Sequence, residues 1–173
     1  MSDALVLIVA MVLLAGAVLK WRTGFMAQRP ADYTGTMPPA DIRCHLNGPL
    51  HCEGVIYGPT GRVTSRFTAK MEGRWEGNRG TLDEHFHYIG GNVQDRQWHL
   101  TLGNDGSIRA EADDLIGTGT GQQEGASVHL RYRIRLPEHA GGWALDVTDW
   151  MYVMENGTII NRSQFRKFGI KVA

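Results

Sequence analysis

The chain has 173 residues, 42% of them hydrophobic and 21% charged, which suits one domain with an appendage. Lys+Arg and Asp+Glu both number 18. The balance stays near even beyond Arg29, so the basic surplus that a nucleic-acid binder uses is missing. The 2 cysteines, Cys44 and Cys52, are too few for a disulfide scaffold or a four-cysteine zinc site. They are either a single disulfide in an oxidising compartment or two small side chains in a strand pair.

Ala4 to Leu19 is an unbroken apolar run. As a helix it measures about 24 Å at 1.5 Å per residue, somewhat short of a bilayer core of about 30 Å. Trp21 suits the interface, and Lys20 and Arg22 suit snorkelling to the headgroups. A cleaved signal peptide is the competing reading. It wants a basic start and a small-residue cleavage site, whereas this chain starts Met-Ser-Asp and has Lys20-Trp21-Arg22 directly after the run. These flanks predict a transmembrane anchor helix over residues 4–22. Residues 23–39, with Pro30, Pro38 and Pro39, read as a tether without regular structure.

From about Glu53 onward, apolar and polar residues alternate with period two, the signature of half-buried strands. Val63, Phe67, Ala69 and Met71 share one face, and Thr64, Arg66, Thr68 and Lys70 the other. Val128, Leu130, Tyr132, Ile134 and Leu136 form an inner row opposite His129, Arg131, Arg133 and Arg135. The same rule predicts strands at Gly80–Tyr88, Val93–Leu102, Ser107–Asp113, Trp143–Met154 and Thr158–Val172. The 22 glycines fit the turns between them, since glycine reaches positive φ without steric penalty. Gly90-Gly91-Asn92, Asn104-Asp105-Gly106 and Asn156-Gly157 are such turns. Gly117 to Gly121 lacks the lysine and helix of a phosphate loop and reads as a turn or narrow edge strand.

Eight or nine strands joined by short turns predict an all-β domain over residues 40–173. Its expected form is an antiparallel meander closing into an up-and-down barrel, because closure removes the edges. A two-sheet sandwich is the alternative and would need longer crossing connections.

Several stretches together resemble the bacterial family of unknown function DUF3833. They are Leu46-Asn47-Gly48-Pro49-Leu50, Gly73 to Leu82, Asp149-Trp150-Met151-Tyr152, Ile160-Asn161-Arg162 and Lys167 to Val172. The resemblance implies an envelope location and a lipocalin-like β fold. It implies no activity. Many members carry a lipid-modified cysteine, but here Leu14-Ala15-Gly16 is followed by Ala17. With no thiol to acylate, the helix itself would anchor the chain, favouring the plasma (inner) membrane. Exported relatives place the domain on the periplasmic side, whereas the basic flanks alone place it in the cytoplasm.

No catalytic, metal or cofactor motif emerges. His85 and His87 share a strand face with Asp83, where a solvated polar stripe explains them better than a metal site. The expected function is a binding module that holds or shields a hydrophobic molecule, a lipid or fatty acid, in the envelope. Trp75, Trp98, Tyr132 and Trp150 would form its wall. Asp149 and Arg162, expected side by side on adjacent strands, would pair structurally or fix a ligand's polar end. A solid barrel docking a lipid-modifying partner is the second expectation. A lipid-modifying enzyme using Asp149 with His85 or His87 is the third.

Overall fold

A computed structural model describes residues 2–173, apart from the side chains of residues 2, 20, 21 and 139. The roles expected for Lys20 and Trp21 lie outside the described residues. Ten strands follow in chain order: β1 (Gly48–Tyr57), β2 (Val63–Glu76), β3 (Arg79–Tyr88), β4 (Val93–Leu102), β5 (Ser107–Glu111), β6 (Gly119–Glu124), β7 (Ser127–Arg135), β8 (Ala144–Val153), β9 (Ile159–Lys167) and β10 (Ile170–Lys171). They form one antiparallel sheet in the order β1 to β10, each strand bonded to the next. The sheet curls into a half-barrel.

Closure into a full barrel does not occur: β1 bonds only to β2, and β10 only to β9. A last strand of two residues offers no length for β1 to pair along. The single strand expected over Thr158–Val172 is broken by a turn at Phe168-Gly169, both with positive φ. Strand β6 takes up part of the stretch Gly117 to Gly121, expected as a turn or narrow edge strand, and lies inside the sheet between β5 and β7.

Period-two alternation sorts the side chains as expected. The concave face buries Leu82, Trp98, Leu100, Leu102, Ile108 and Leu130, with Tyr132 packed against them. Ile134, Leu145 and Val147 form a second cluster, against which Phe165 packs. The convex face of β2–β4 is polar; there the Arg74 guanidinium donates to Asp83 at 2.6 Å.

Residues 23–39 form a strap rather than a loose tether. Two 3-10 turns, Phe25–Ala27 and Pro30–Tyr33, lie against the convex face of β8 and β9. The Tyr33 ring sits 5.2 Å from Trp150, and the Tyr152 hydroxyl donates to Gln28 Oε1 at 2.7 Å. The chain then rounds the β6–β7 turn, where Ala40 N donates to Gly125 O at 2.7 Å. A short helix α2 (Ile42–His45) plugs that end of the half-barrel. Ile42 is buried in the main core, and the Trp75 indole N–H donates to Leu46 O at 2.8 Å. Gly80, opposite Trp75 in the register, leaves room for the indole: a Cβ there would lie 2.4 Å from the ring.

At the N-terminus, helix α1 (Ser2–Arg22) exposes its Leu, Val and Ile side chains. Among the described residues no helix is long and apolar enough to cross a membrane. The transmembrane helix expected over residues 4–22 is therefore present as a helix and unsupported as a span. The Cys44 and Cys52 thiols are not joined.

Candidate functional site

The two long hairpins β1–β2 and β3–β4 rise beyond the short strands β5 and β6, leaving the concave face uncovered beside them. A groove of about 710 Å³ runs there. Leu50, Met71, Glu84, Gln94, Arg96 and Asp114 are its concave-face lining. This volume lies within the usual range of ligand pockets, roughly 300–1,000 Å³.

The alternation that builds the core also carries charge into it. Glu84 stands in the row of Leu82 and Phe86, and Arg96 in the row of Trp98 and Leu100. The two face each other across the β3–β4 ladder. The Arg96 guanidinium lies over the Trp98 ring, 3.9 Å from its centroid, and its Nε donates to Asp114 Oδ1 at 3.0 Å. Asp114 is held in the β5–β6 loop by its carbonyl, which accepts from Arg135 N at 2.8 Å. The Trp98 indole N–H donates to Glu84 Oε2 at 3.2 Å. Burial pushes the Glu84 pKa up to about 7, against the pull of Arg96 and of the Trp98 N–H. Near neutral pH this carboxyl both holds and releases a proton.

Deeper along the same face, the Tyr132 hydroxyl donates to Asp149 Oδ2 at 2.7 Å. Burial raises the Asp149 pKa, opposed by the Ser163 and Tyr132 hydroxyls and by Arg96. Burial also raises Tyr132, and Asp149 adds to the shift. Among the described residues, two buried polar atoms of this face, Arg96 Nη2 and Asp149 Oδ1, have no hydrogen-bond partner. A buried unsatisfied polar group costs about 1–3 kcal/mol, and both atoms are shielded from solvent beneath the groove. Above them, Phe67, Phe86 and Tyr88 form an aromatic shelf, with the Phe67 and Phe86 centroids 5.3 Å apart.

Of the residues expected to bind a ligand, Trp98, Tyr132 and Asp149 gather on this face. Trp75 shares the face but seals the end plugged by α2, where its ring and indole N–H are already engaged. Trp150 and Arg162 point the other way. They are register partners on the convex face, whereas Asp149 pairs with Ser163. The expected Asp149–Arg162 pair is therefore impossible, because neighbouring residues of a strand point to opposite faces. Arg162 instead lies over the Phe25 ring, 5.0 Å from its centroid, and Trp150 stacks on His129 beneath the strap at 4.4 Å.

His85 and His87 also lie on the convex face, where His85 contacts Asp95. They cannot share acid–base work with Asp149. Among the described residues no His, Cys, Asp and Glu cluster of three or more is arranged to hold a metal ion. Glu84 and Arg96 belong to no sequence motif. The available signal was phase: each is a charged residue in step with an apolar row.

No curated protein and no solved structure matches the chain. The family model described as "Protein of unknown function (DUF3833)" matches residues 19–173, and since that is nearly the whole chain, the protein belongs to the DUF3833 family.

Proposed function

We propose that the half-barrel is a binding module for an amphipathic molecule, a lipid or fatty acid, at the cell envelope. The observation that carries this reading is the groove itself. The Arg96 guanidinium and the Glu84 carboxyl, with a pKa of about 7, line it, and apolar side chains stand beside them. The ligand's polar end would lie beside the Arg96 guanidinium and protonated Glu84. Its hydrocarbon part would run over Leu50, Met71 and the Phe67–Phe86–Tyr88 shelf. Each methylene withdrawn from water contributes about 0.8 kcal/mol, so eight would supply roughly 6 kcal/mol towards binding.

Helix α1 complements this reading. Its apolar residues find no cover in the protein, and insertion in lipid would cover them. The domain would then sit beside its ligand's source, on the periplasmic side of the plasma membrane.

The test is titration of the full chain in nanodiscs with oleate and with lysophospholipid, followed calorimetrically. Saturable binding is expected, weakened tenfold or more by Arg96→Gln. For an anionic ligand it should also weaken above pH 7, where Glu84 ionises, and Glu84→Gln should remove that pH dependence. Absence of saturable binding across both lipid types would end the proposal.

A further inference from the structure

We propose that β1 pairs edge to edge with β1 of a second copy of this chain, antiparallel about a two-fold axis at Cys52. The half-barrel leaves two edges, and they differ in kind. Strand β10 has 2 residues. Strand β1 has 10, and among the described residues it bonds only to β2. A long free edge presents a row of unpaired N–H and C=O groups, a template for another strand.

Which groups face outward follows from the hairpin. Ile56 O accepts from the Thr64 hydroxyl on β2 at 3.1 Å, and Gly58 N donates to Arg62 O at 2.8 Å. Even-numbered residues of β1 therefore turn their backbone groups to β2, and odd-numbered ones turn theirs outward. Pro49 agrees with this phase, because its missing N–H then breaks no bond to β2. The bulge at Ile56-Tyr57 limits the edge at its other end. The usable edge runs over residues 49–55, and its midpoint is Cys52.

The side chains select the same register. Outward-facing residues must meet outward-facing residues, so a two-fold pair near the midpoint centres on His51, Cys52 or Glu53. Centred on His51 or on Glu53, that side chain meets its own copy, and like charges directly opposite destabilise a pair. Centred on Cys52, His51 stands opposite Glu53 of the partner subunit, and the symmetry makes that contact twice. Among the described residues neither side chain has an ion-pair partner in its own chain. Val55, 46% exposed, comes opposite the partner's Pro49, whose carbonyl accepts the Val55 N–H. On the concave face Leu50 comes opposite the partner's Gly54. A Cβ on Gly54 would lie 2.5 Å from the Phe67 ring, so that ring lies over the glycine and offers its edge to the incoming leucine. The axis keeps both concave faces on one side, so the two grooves, each lined by Leu50, adjoin. The pairing does not depend on what a groove holds.

Sedimentation velocity on the full chain in detergent micelles tests it. A concentration-dependent dimer is expected. His51→Glu, which sets carboxylate against carboxylate, should weaken it tenfold or more, and the exchange His51→Glu, Glu53→His should restore it. Val55→Pro removes an outward N–H, leaves the ladder to β2 intact and should abolish the dimer. In a Cys44→Ser background, mild oxidation should join the Cys52 thiols of two copies. Their Cα atoms, at a non-hydrogen-bonded pair, would stand about 4.5 Å apart, within reach of a disulfide. A monomer at every concentration would overturn the proposal. So would a dimer that survives Val55→Pro, which would assign association to α1, or one indifferent to the charge exchange.

Discussion

Strands β7 and β8 bury both faces, and the two faces are buried in opposite ways. On the convex side His129 and Trp150 are covered by the chain's own strap, through Tyr33, Tyr152 and Gln28. On the concave side Tyr132 and Asp149 are buried beside Arg96, with polar atoms left unpaired and a groove running past. The first burial is covered by the chain's own strap, although His129 Nε2 there also lacks a hydrogen-bond partner among the described residues. The second lies beside an open groove. One pair of strands thus carries a face covered by the chain itself and a face beside a groove, separated by a single residue of register.

The largest effect that sharpens this contrast is on the covered face. Trp150 is 1% exposed, so Trp150→Ala should destabilise the protein by about 3–5 kcal/mol, read from the shift in its urea midpoint. A loss below about 1 kcal/mol would mean that the strap does not seal the convex face.

On the open face, the next effect depends on pH. Glu84 has a folded-state pKa of about 7, above its value of roughly 4.5 in an unfolded chain. Between these values the folded protein holds a proton that the unfolded chain has released. Stability is therefore highest below pH 4.5 as far as this group is concerned, and falls as pH rises to 7. At about 1.4 kcal/mol per pKa unit the loss reaches about 3 kcal/mol. Glu84→Gln should match the parent near pH 4.5 and exceed it by up to that amount at pH 8. Parallel stability profiles for the two proteins would show that Glu84 is solvated.

The covered face responds with the opposite sign and more weakly. Burial pushes the His129 pKa down to about 4, helped by Arg131. As pH falls below 6.5, the unfolded chain takes up the proton first, so stability falls through the window from 6.5 to 4. Allowing for solvent screening, this amounts to about 1–2 kcal/mol. His129→Phe keeps a ring for Trp150 to stack on and should flatten the acid limb of the stability profile. An unaltered limb would assign acid sensitivity to other groups.

How much of this was legible follows from what each segment buries. Strands such as β2, β4 and β7 bury one face and wet the other, so period two exposes them. Strand β6, Gly119 to Glu124, brings almost no apolar side chain and pairs by backbone alone. Its Gly121 admits the neighbouring strand only because it lacks a Cβ, which would fall 2.2 Å from His129 O. The strap hid for a related reason: Phe25, Tyr33 and Ile42 are buried or half-buried contacts spaced without a period, among prolines that suggest a linker. The open edges depend on β10 being short, and no pattern within a strand reports that. Size and charge alone put Trp150 and Arg162 in a ligand wall, whereas phase puts both on the convex face. Counting alternate residues from Val147 puts Asp149 on the concave face and its two neighbours on the convex one.

The smallest effect isolates the strap from the sheet it covers. The Tyr152 hydroxyl donates to Gln28 Oε1 at 2.7 Å, and Tyr33 reaches the same oxygen. Tyr152→Phe removes one of these two donors and keeps the ring that packs near Tyr33 and Trp150. A net hydrogen bond contributes about 1 kcal/mol, so the urea midpoint should shift only slightly. The more telling readout is local. Amide exchange over residues 25–36 should quicken while that of β7 and β8 stays the same, because the strap can lift without opening the ladder beneath it. If exchange in β7 and β8 quickened equally, strap and sheet would open as one unit. The convex face would then be part of the core itself rather than a core covered by a separable segment.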